Sequence, residues 1–318
     1  MDHDGETSLI QKWRDHWNTR DKILNPSPQA ANRMGVWFFW LATGSALFTA
    51  VYVVIPQCGD HIIFGFAFDY WLKLLACFVL FEVFINWNLC AMKDMSQVTD
   101  KKLKAALEQR ESTSLHGARD GKAVPDGFES CPVCQLSTPP RSHHCPVCNT
   151  CILKRDHHCY FTGSCIGFYN QRYFAVLTMY VAIGSAYTIL LITWYISADL
   201  TPDSVGGPLR YLPPFAIWNV VFGTLPAASF LMLLQMYVLL ATFGVSGMFF
   251  CWQMALVFHG QTSYEASRDI TRYQLGDVGM HIRSVFGPYW MFNFIYPLRT
   301  LPEGNGFFWK TEKATKGN

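Results

Sequence analysis

The chain has 318 residues, of which 51% are hydrophobic and 16% aromatic but only 15% charged, and it carries a net charge of +2. A charged share so far below that of an average soluble domain excludes a water-soluble globule for most of the chain and places it in a bilayer. The net charge is too small to argue for a nucleic-acid partner, so the placement of the basic residues matters more than their sum.

Residues 1–34 form a polar arm holding Lys12, Arg14, Arg20, Lys22 and Arg33. The first apolar stretch therefore lacks the short basic start of a cleavable signal peptide and reads as a retained span. Gly35 to Pro56 is uncharged and, at about 1.5 Å per residue, long enough to cross roughly 30 Å of hydrocarbon. Tyr70 to Met92 is a second run of similar length, rich in Phe and Leu, which completes a membrane unit over 35–92. It carries Lys73 near one end, expected to snorkel to the non-cytosolic interface, and Glu82 near its middle. Glu82 is expected to be protonated or hydrogen-bonded inside the bundle, with Asn86 one turn away as its partner.

Residues 93–172 are the one long polar segment, in which Lys101, Lys102, Lys104 and Arg110 read as a solvated or lipid-facing patch. Tyr173 to Ile196 is a third span, within a second membrane unit over 173–258. From Tyr211 to Phe258 there is no Asp, Glu, Lys, Arg or His, a run too long for one helix. It holds two crossings, or one crossing preceded by a helix near the interface, with Pro213, Pro214 and Pro226 permitting a break. The tail, 259–318, holds Arg268, Arg272, Arg283 and Arg299, with no familiar lipidation or retrieval signal at Lys316-Gly317-Asn318.

Short loops rich in Lys and Arg stay cytosolic. The loop from Gln57 to Asp69 has neither residue and the loop after the third span has only Arg210, whereas the arm, the central segment and the tail are basic. Three basic segments on one side require an even number of crossings between each pair. The fold expected is an all-α polytopic membrane protein with four transmembrane helices, both termini in the cytosol, and an irregular cysteine-rich domain between helices two and three; five spans is the alternative. No internal repeat is evident.

Seven of the eleven cysteines lie between Cys131 and Cys165 beside four histidines. The order is Cys131-x2-Cys134, then His144-Cys145-x2-Cys148-x2-Cys151, then Asp156-His157-His158-Cys159, then Cys165. Paired CxxC steps with nearby histidines are strong zinc signals, because two thiolates in one tight turn can fill two corners of a tetrahedron. Six cysteines and two histidines would fill two closed Cys3His sites and leave one thiol over. Adjacent residues of an extended segment face opposite ways, so His144 and Cys145 are expected to serve different ions and the sites to interleave. A reducing cytosol makes disulfides the weaker reading.

The stretch from Cys131 to Phe174, with Pro139, Arg141, the Asp156-His157-His158-Cys159 tetrad, Cys165, Asn170 and Phe174, resembles the cysteine-rich domain of the DHHC family of protein S-acyltransferases. Thr262-Ser263-Tyr264-Glu265 resembles that family's Thr-Thr-x-Glu motif, with Ser in the second place, and the stretch ending in Val285-Phe286-Gly287 resembles its C-terminal amphipathic segment. The resemblance implies two structural Zn2+ ions, one held by Cys131, Cys134, His144 and Cys151 and the other by Cys145, Cys148, His158 and Cys165. It also implies Cys159 as nucleophile, His157 as its base and Asp156 as the group that orients the imidazole. A free thiol has a pKa of about 8.5, so a neighbouring His is needed to supply thiolate near neutral pH.

The chain departs from the family's usual pattern at Tyr160-Phe161, where Pro-Trp is common, at His281, where Asn is common, and at Thr138, where a basic residue is frequent. The implied function is palmitoyltransferase activity: acyl-CoA, palmitoyl-CoA in particular, acylates Cys159, and the acyl group passes to cysteines of protein substrates at the cytosolic membrane face. The implied setting is a multi-pass protein of the endomembranes (ER or Golgi) or the plasma membrane, in contact with the lipid bilayer and with no nucleic acid. Lys154, Arg155 and Arg172 are candidates for the CoA phosphates by location alone. His143 is expected to be a surface or packing histidine, and Thr262, Ser263 and Glu265 to cap a helix end and hydrogen-bond the zinc domain. The alternative reading is a catalytically silent zinc-bearing membrane scaffold that recruits partners.

Overall fold

The computed structural model describes residues 27–58, 62–63, 66–92, 95–113, 127–199, 212–223, 225–274, 276–298 and 302–309. Lys12, Arg14, Arg20, Lys22, Arg210, Arg299 and Lys316-Gly317-Asn318 lie outside them. Among the described residues, four helices are long and apolar enough to cross a membrane.

Helix α1, Pro28–Phe48, starts with Pro in its first turn, where no N–H is missed, and the Ser27 hydroxyl accepts from the Ala30 N–H at 3.2 Å. It runs on through a π-helical turn, Thr49–Val54, and a 3-10 turn, Ile55–Gln57. A short hairpin, β1 Ile62–Ile63 with β2 Phe66–Ala67, leads into α2, Phe68–Ala91. Glu82 is fully buried on α2, and Asn86 donates to its carboxylate at 3.0 Å and to its carbonyl at 2.9 Å. Lys73 pairs with Asp69 at 2.7 Å near the start of the helix.

After α2 the chain lies alongside the cysteine-rich domain before entering α3, Asp100–Thr113. The Val98 N–H donates to Cys151 and the Leu153 N–H to Ser96, so this segment is laced to the domain by backbone bonds. The domain itself is three small antiparallel hairpins: β3 Glu129–Ser130 with β4 Ser137–Thr138, β5 His143–Cys145 with β6 Thr150–Ile152, and β7 His157–Cys159 with β8 Ser164–Ile166. Strands of two or three residues cannot bury a core of their own, so other forces must fix them.

Helix α4, Gln171–Asp199, packs against both α2 and the last long helix, α6, Ala227–His259. Between them α5, Pro213–Val221, is only nine residues long. It is too short to span and precedes a single crossing, which decides between the two sequence readings of 211–258. Gly260, at φ +65°, closes α6 in the left-handed conformation that suits glycine. The tail then returns to the domain: α7, Ser263–Ala266, is followed by α8, Val278–Phe286, whose Val285 and Phe286 are buried while Val278 and Met280 are exposed.

The largest core lies where membrane helices and hairpins meet, joining Val83 and Cys90 of α2, Cys159 and Ile166, Phe174 and Leu177 of α4, Val257 of α6 and Phe286 of α8. A second core sets Val98, Ala106, Cys131, Cys151, Leu153 and Phe168 against Phe307 and Trp309 of the tail.

Candidate metal and thiol centre

The CxxC steps form the turns of the first two hairpins. In each, the backbone N–H of the second cysteine points at the first sulfur at 3.4 Å (Cys134 to Cys131, Cys148 to Cys145), and the next residue, Gln135 or Asn149, takes a positive φ. Such turns present both sulfurs on one side. The register pairs His144 with Cys151 and His158 with Cys165 across their hairpins, which adds one imidazole and one thiol to each pair.

Two clusters result, Cys131, Cys134, His144 and Cys151, and Cys145, Cys148, His158 and Cys165, each with donor atoms within 4.8 Å of one another. Cys134 and Cys151 sulfurs lie 3.7 Å apart, as do those of Cys148 and Cys165, and the histidine Nδ1 atoms face Cys134 and Cys148 at 3.3 Å. Zinc bonded to sulfur at about 2.3 Å in a tetrahedron sets sulfurs about 3.8 Å apart, so each donor set fits that ion. His144 and Cys145 fall in different clusters, the interleaving expected from strand alternation. The far nitrogen of His158, Nε2, faces Asn32 Oδ1 of α1 at 2.9 Å, a contact that fixes the ring.

The third hairpin repeats the plan of the second. His158, Cys159, Thr162 and Cys165 recur at the spacing of His144, Cys145, Cys148 and Cys151, and Gly163 takes the positive φ of Asn149. The Cys131 to Gln135 turn has the same form, so the domain is a threefold repeat, contrary to the sequence reading that found none. Thr162 stands where a second thiol would stand, and its hydroxyl donates to the Cys159 carbonyl at 3.3 Å. Cys159 thus belongs to neither cluster.

Beside it, the Asp156 carboxylate meets His157 Nδ1 at 2.7 Å, and His157 in turn lies close enough to the Cys159 sulfur to favour its thiolate. Asp156 is nearly inaccessible; the Ser263 N–H donates to its Oδ1 at 2.6 Å and the Ser263 hydroxyl to its Oδ2 at 3.0 Å. Burial opposes ionisation of Asp156, but these bonds and the imidazole outweigh it and hold its carboxyl below the ordinary range. Burial likewise opposes the imidazolium of His157, yet Asp156 and Cys159 raise it to about 9. The Cys159 thiol is lowered from its ordinary value despite its burial, with His157 as the main counterweight. The arrangement is a thiol, an imidazole and a carboxylate in line.

An apolar cavity of about 570 Å³ opens from His157 and Cys159 between α1, α2, α4 and α6. Phe38, Tyr160 and Phe161 line it beside the thiol, and Ala50, Ala76 and Tyr187 line it deeper among the helices. Helix α1 approaches so closely that a Cβ on Gly35 would lie 2.6 Å from the Tyr160 carbonyl oxygen. The Trp87 indole donates to the Phe161 carbonyl at 3.0 Å, so the Tyr160-Phe161 pair is held at the rim.

The other singled-out residues resolve as supports. Thr262 and Glu265 form a capping box at α7, and Glu265 accepts two bonds of 2.6 Å from the buried Arg141 guanidinium. Arg141 also lies over the rings of Tyr273 and Trp309, so it locks the tail to the domain. The His143 ring packs at a tilt against Tyr264, with ring centres 3.9 Å apart. Thr138 donates to the Glu129 carbonyl within its own hairpin, and His281 Nδ1 bonds the Phe258 carbonyl at the end of α6. Lys154 and Arg172, each 3% exposed, are too enclosed to meet a phosphate, which removes both from the CoA candidates, and the Arg155 Nε is buried as well. Sequence reasoning missed Asn32 and Gln253, because nothing local marks a polar residue whose partner lies far along the chain.

Fold and centre together define a multi-pass membrane protein with a buried thiol and carboxylate and a half-buried imidazole set beside two Cys3His clusters. A family model described as DHHC palmitoyltransferase matches residues 125–270. Palmitoyltransferase ZDHHC22 of Danio rerio is 32% identical over 184 residues, covering 57% of this chain and 61% of that protein. Probable palmitoyltransferase ZDHHC24 of Rattus norvegicus is 33% identical over 218 residues, covering 64% of this chain and 71% of that protein. The chain belongs to the DHHC palmitoyltransferase family.

Proposed function

We propose that this protein is a protein S-acyltransferase that moves a palmitoyl or similar acyl group from acyl-CoA to cysteines of membrane-apposed proteins. The observation that carries this reading is that Cys159 stands outside both clusters, beside the Asp156-paired His157, at the mouth of an apolar cavity. Cys159 is the nucleophile, His157 its base and Asp156 the group that orients the imidazole. Cys131, Cys134, His144 and Cys151 would hold one zinc and Cys145, Cys148, His158 and Cys165 the other; both ions supply rigidity to hairpins with little core of their own.

The Cys159 thiolate attacks the thioester carbonyl carbon, the tetrahedral intermediate expels CoA as thiolate, and the His157 imidazolium gives that sulfur its proton. A substrate thiol then loses its proton to His157 and attacks the Cys159 thioester, which releases the acylated product and the free enzyme thiol. One thioester replaces another at each step, so the chemistry is nearly balanced. The acyl chain, at about 0.8 kcal/mol per buried CH2, favours the cavity over water. The basic arm, central segment and tail support a cytosolic active site in an endomembrane or plasma membrane.

Purified protein incubated with a clickable palmitoyl-CoA is expected to acquire a hydroxylamine-sensitive label that Cys159→Ser lacks. A wild-type protein with both metals bound that never labels would instead be a silent zinc-bearing scaffold.

A further inference from the structure

Gln253 sits in the apolar helix α6 and is 1% exposed, a costly place for a primary amide unless its polar atoms are paired. It is paired at both ends. Its Nε2 donates to Asp156 Oδ2 at 2.8 Å, and its Oε1 accepts from Gln171 Nε2 of α4 at 3.2 Å. Gln171, also 1% exposed, accepts in turn from Lys154 Nζ at 3.0 Å on the turn between β6 and β7.

This chain of bonds has a direction. An ionised carboxylate only accepts, so Asp156 forces the Gln253 NH2 toward itself and the Gln253 carbonyl away. That carbonyl must meet a donor, which turns the Gln171 NH2 toward it and the Gln171 carbonyl toward Lys154. Lys154 has an N–H to give whether charged or neutral, so the order survives its titration. Two amides that could each flip are thereby held one way by their termini. The acceptor at the end of the relay is Oδ2, the same oxygen that holds His157 Nδ1.

We propose that Gln253 is a positioning residue for acyl transfer: its amide, oriented by Gln171 and Lys154, fixes the Asp156 carboxylate so that His157 stays aimed at Cys159. This rests on the acyltransferase reading above. The relay also ties the relative placement of α4 and α6 to the hairpin that bears the thiol, so the geometry of the centre depends on the membrane bundle and not on the metal-bound domain alone.

The test uses full-length protein with both metals bound and follows single-turnover acylation of Cys159 by palmitoyl-CoA. Gln253→Leu is expected to slow acylation by about tenfold or more, a part of the ~10²–10⁴-fold that a positioned base contributes. The palmitoyl-CoA concentration for half-saturation should stay unchanged, and zinc content should stay at two per chain. Gln253→His, whose neutral ring keeps one donor and one acceptor, should recover much of the rate. Should Gln253→Leu lose zinc, Gln253→Asn, one methylene short of Asp156, carries the same expectation. A metal-loaded Gln253→Leu or Gln253→Asn that acylates at the wild-type rate overturns the proposal, and so does a Gln253→His no faster than Gln253→Leu. A wild type that does not label at all removes the acyltransferase reading and this inference with it, a result distinguishable because it appears before any substitution at Gln253.

Discussion

The two Cys3His clusters share one donor set but differ in what surrounds them. The first, Cys131, Cys134, His144 and Cys151, faces the tail, where Cys131 and Cys151 pack with Phe168 and Phe307. The second, Cys145, Cys148, His158 and Cys165, takes two of its donors from the hairpin that carries Cys159, and its histidine is held by Asn32 of the first membrane helix. With an ion bound, one cluster would brace the domain against its own chain end, and the other would set the register of the thiol. Identical chemistry can serve two purposes when the neighbours differ.

The sharpest way to break the comparison is to remove one thiol from each cluster. Cys165→Ala would remove a donor on β8 from the second cluster and let β7 shift. We expect one zinc per chain by elemental analysis and acyl-enzyme formation reduced by at least about a hundredfold, the cost of misplacing reacting groups by an ångström. Cys131→Ala should also leave one zinc but retain measurable labelling, because β7 and β8 keep their own ligands. Equal losses from the two variants would erase the distinction.

The next effect tests how the tail braces the first cluster's side of the domain. Arg141→Met leaves Glu265 buried without its partner, and we expect a loss of about 3–5 kcal/mol in thermal or denaturant unfolding. The double variant Arg141→Met, Glu265→Leu should recover much of that loss, since no lone charge then remains. If the single variant unfolds like wild type, the ion pair is not what holds the tail in place.

The smallest effect sharpens the difference at the second cluster. Asn32→Ala removes the acceptor that orients His158 from outside the metal shell. Zinc affinity at one site should fall by about 10–100-fold, seen as one ion released earlier to a chelator while the other leaves as in wild type. Simultaneous release of both ions would show that Asn32 has no selective hold on His158.

What was legible in the sequence was local or periodic. Four spans follow from apolar runs whose length a bilayer dictates, and the ligand clusters from CxxC turns and short histidine spacings that one strand pairing completes. The surplus thiol could be counted. Its cause could not be read so easily, because the repeat of the three hairpins is broken where Thr162 replaces a thiol, and Ser130 stands where the later hairpins have His144 and His158. The longer contacts were hidden for another reason. Arg141 meets Glu265, Asp156 meets Gln253, and His158 meets Asn32 only after distant segments have folded together, and no spacing rule connects such residues. Burial was equally opaque: Lys154 and Arg172 looked like surface cations, yet the fold encloses both. The Tyr160-Phe161 and His281 departures proved compatible with the architecture, because Trp87 holds the first pair by its backbone and His281 bonds the end of α6.

Zinc K-edge absorption of wild type and Cys159→Ser, with metal content measured on the same samples, tests most directly whether eight ligands bind two ions and leave one sulfur free. Both proteins should hold two zinc ions per chain with an average shell of three sulfurs at about 2.3 Å and one nitrogen at about 2.0–2.1 Å. A sulfur lost from that shell in Cys159→Ser, or a single ion in wild type, would contradict the assignment and return Cys159 to the metal.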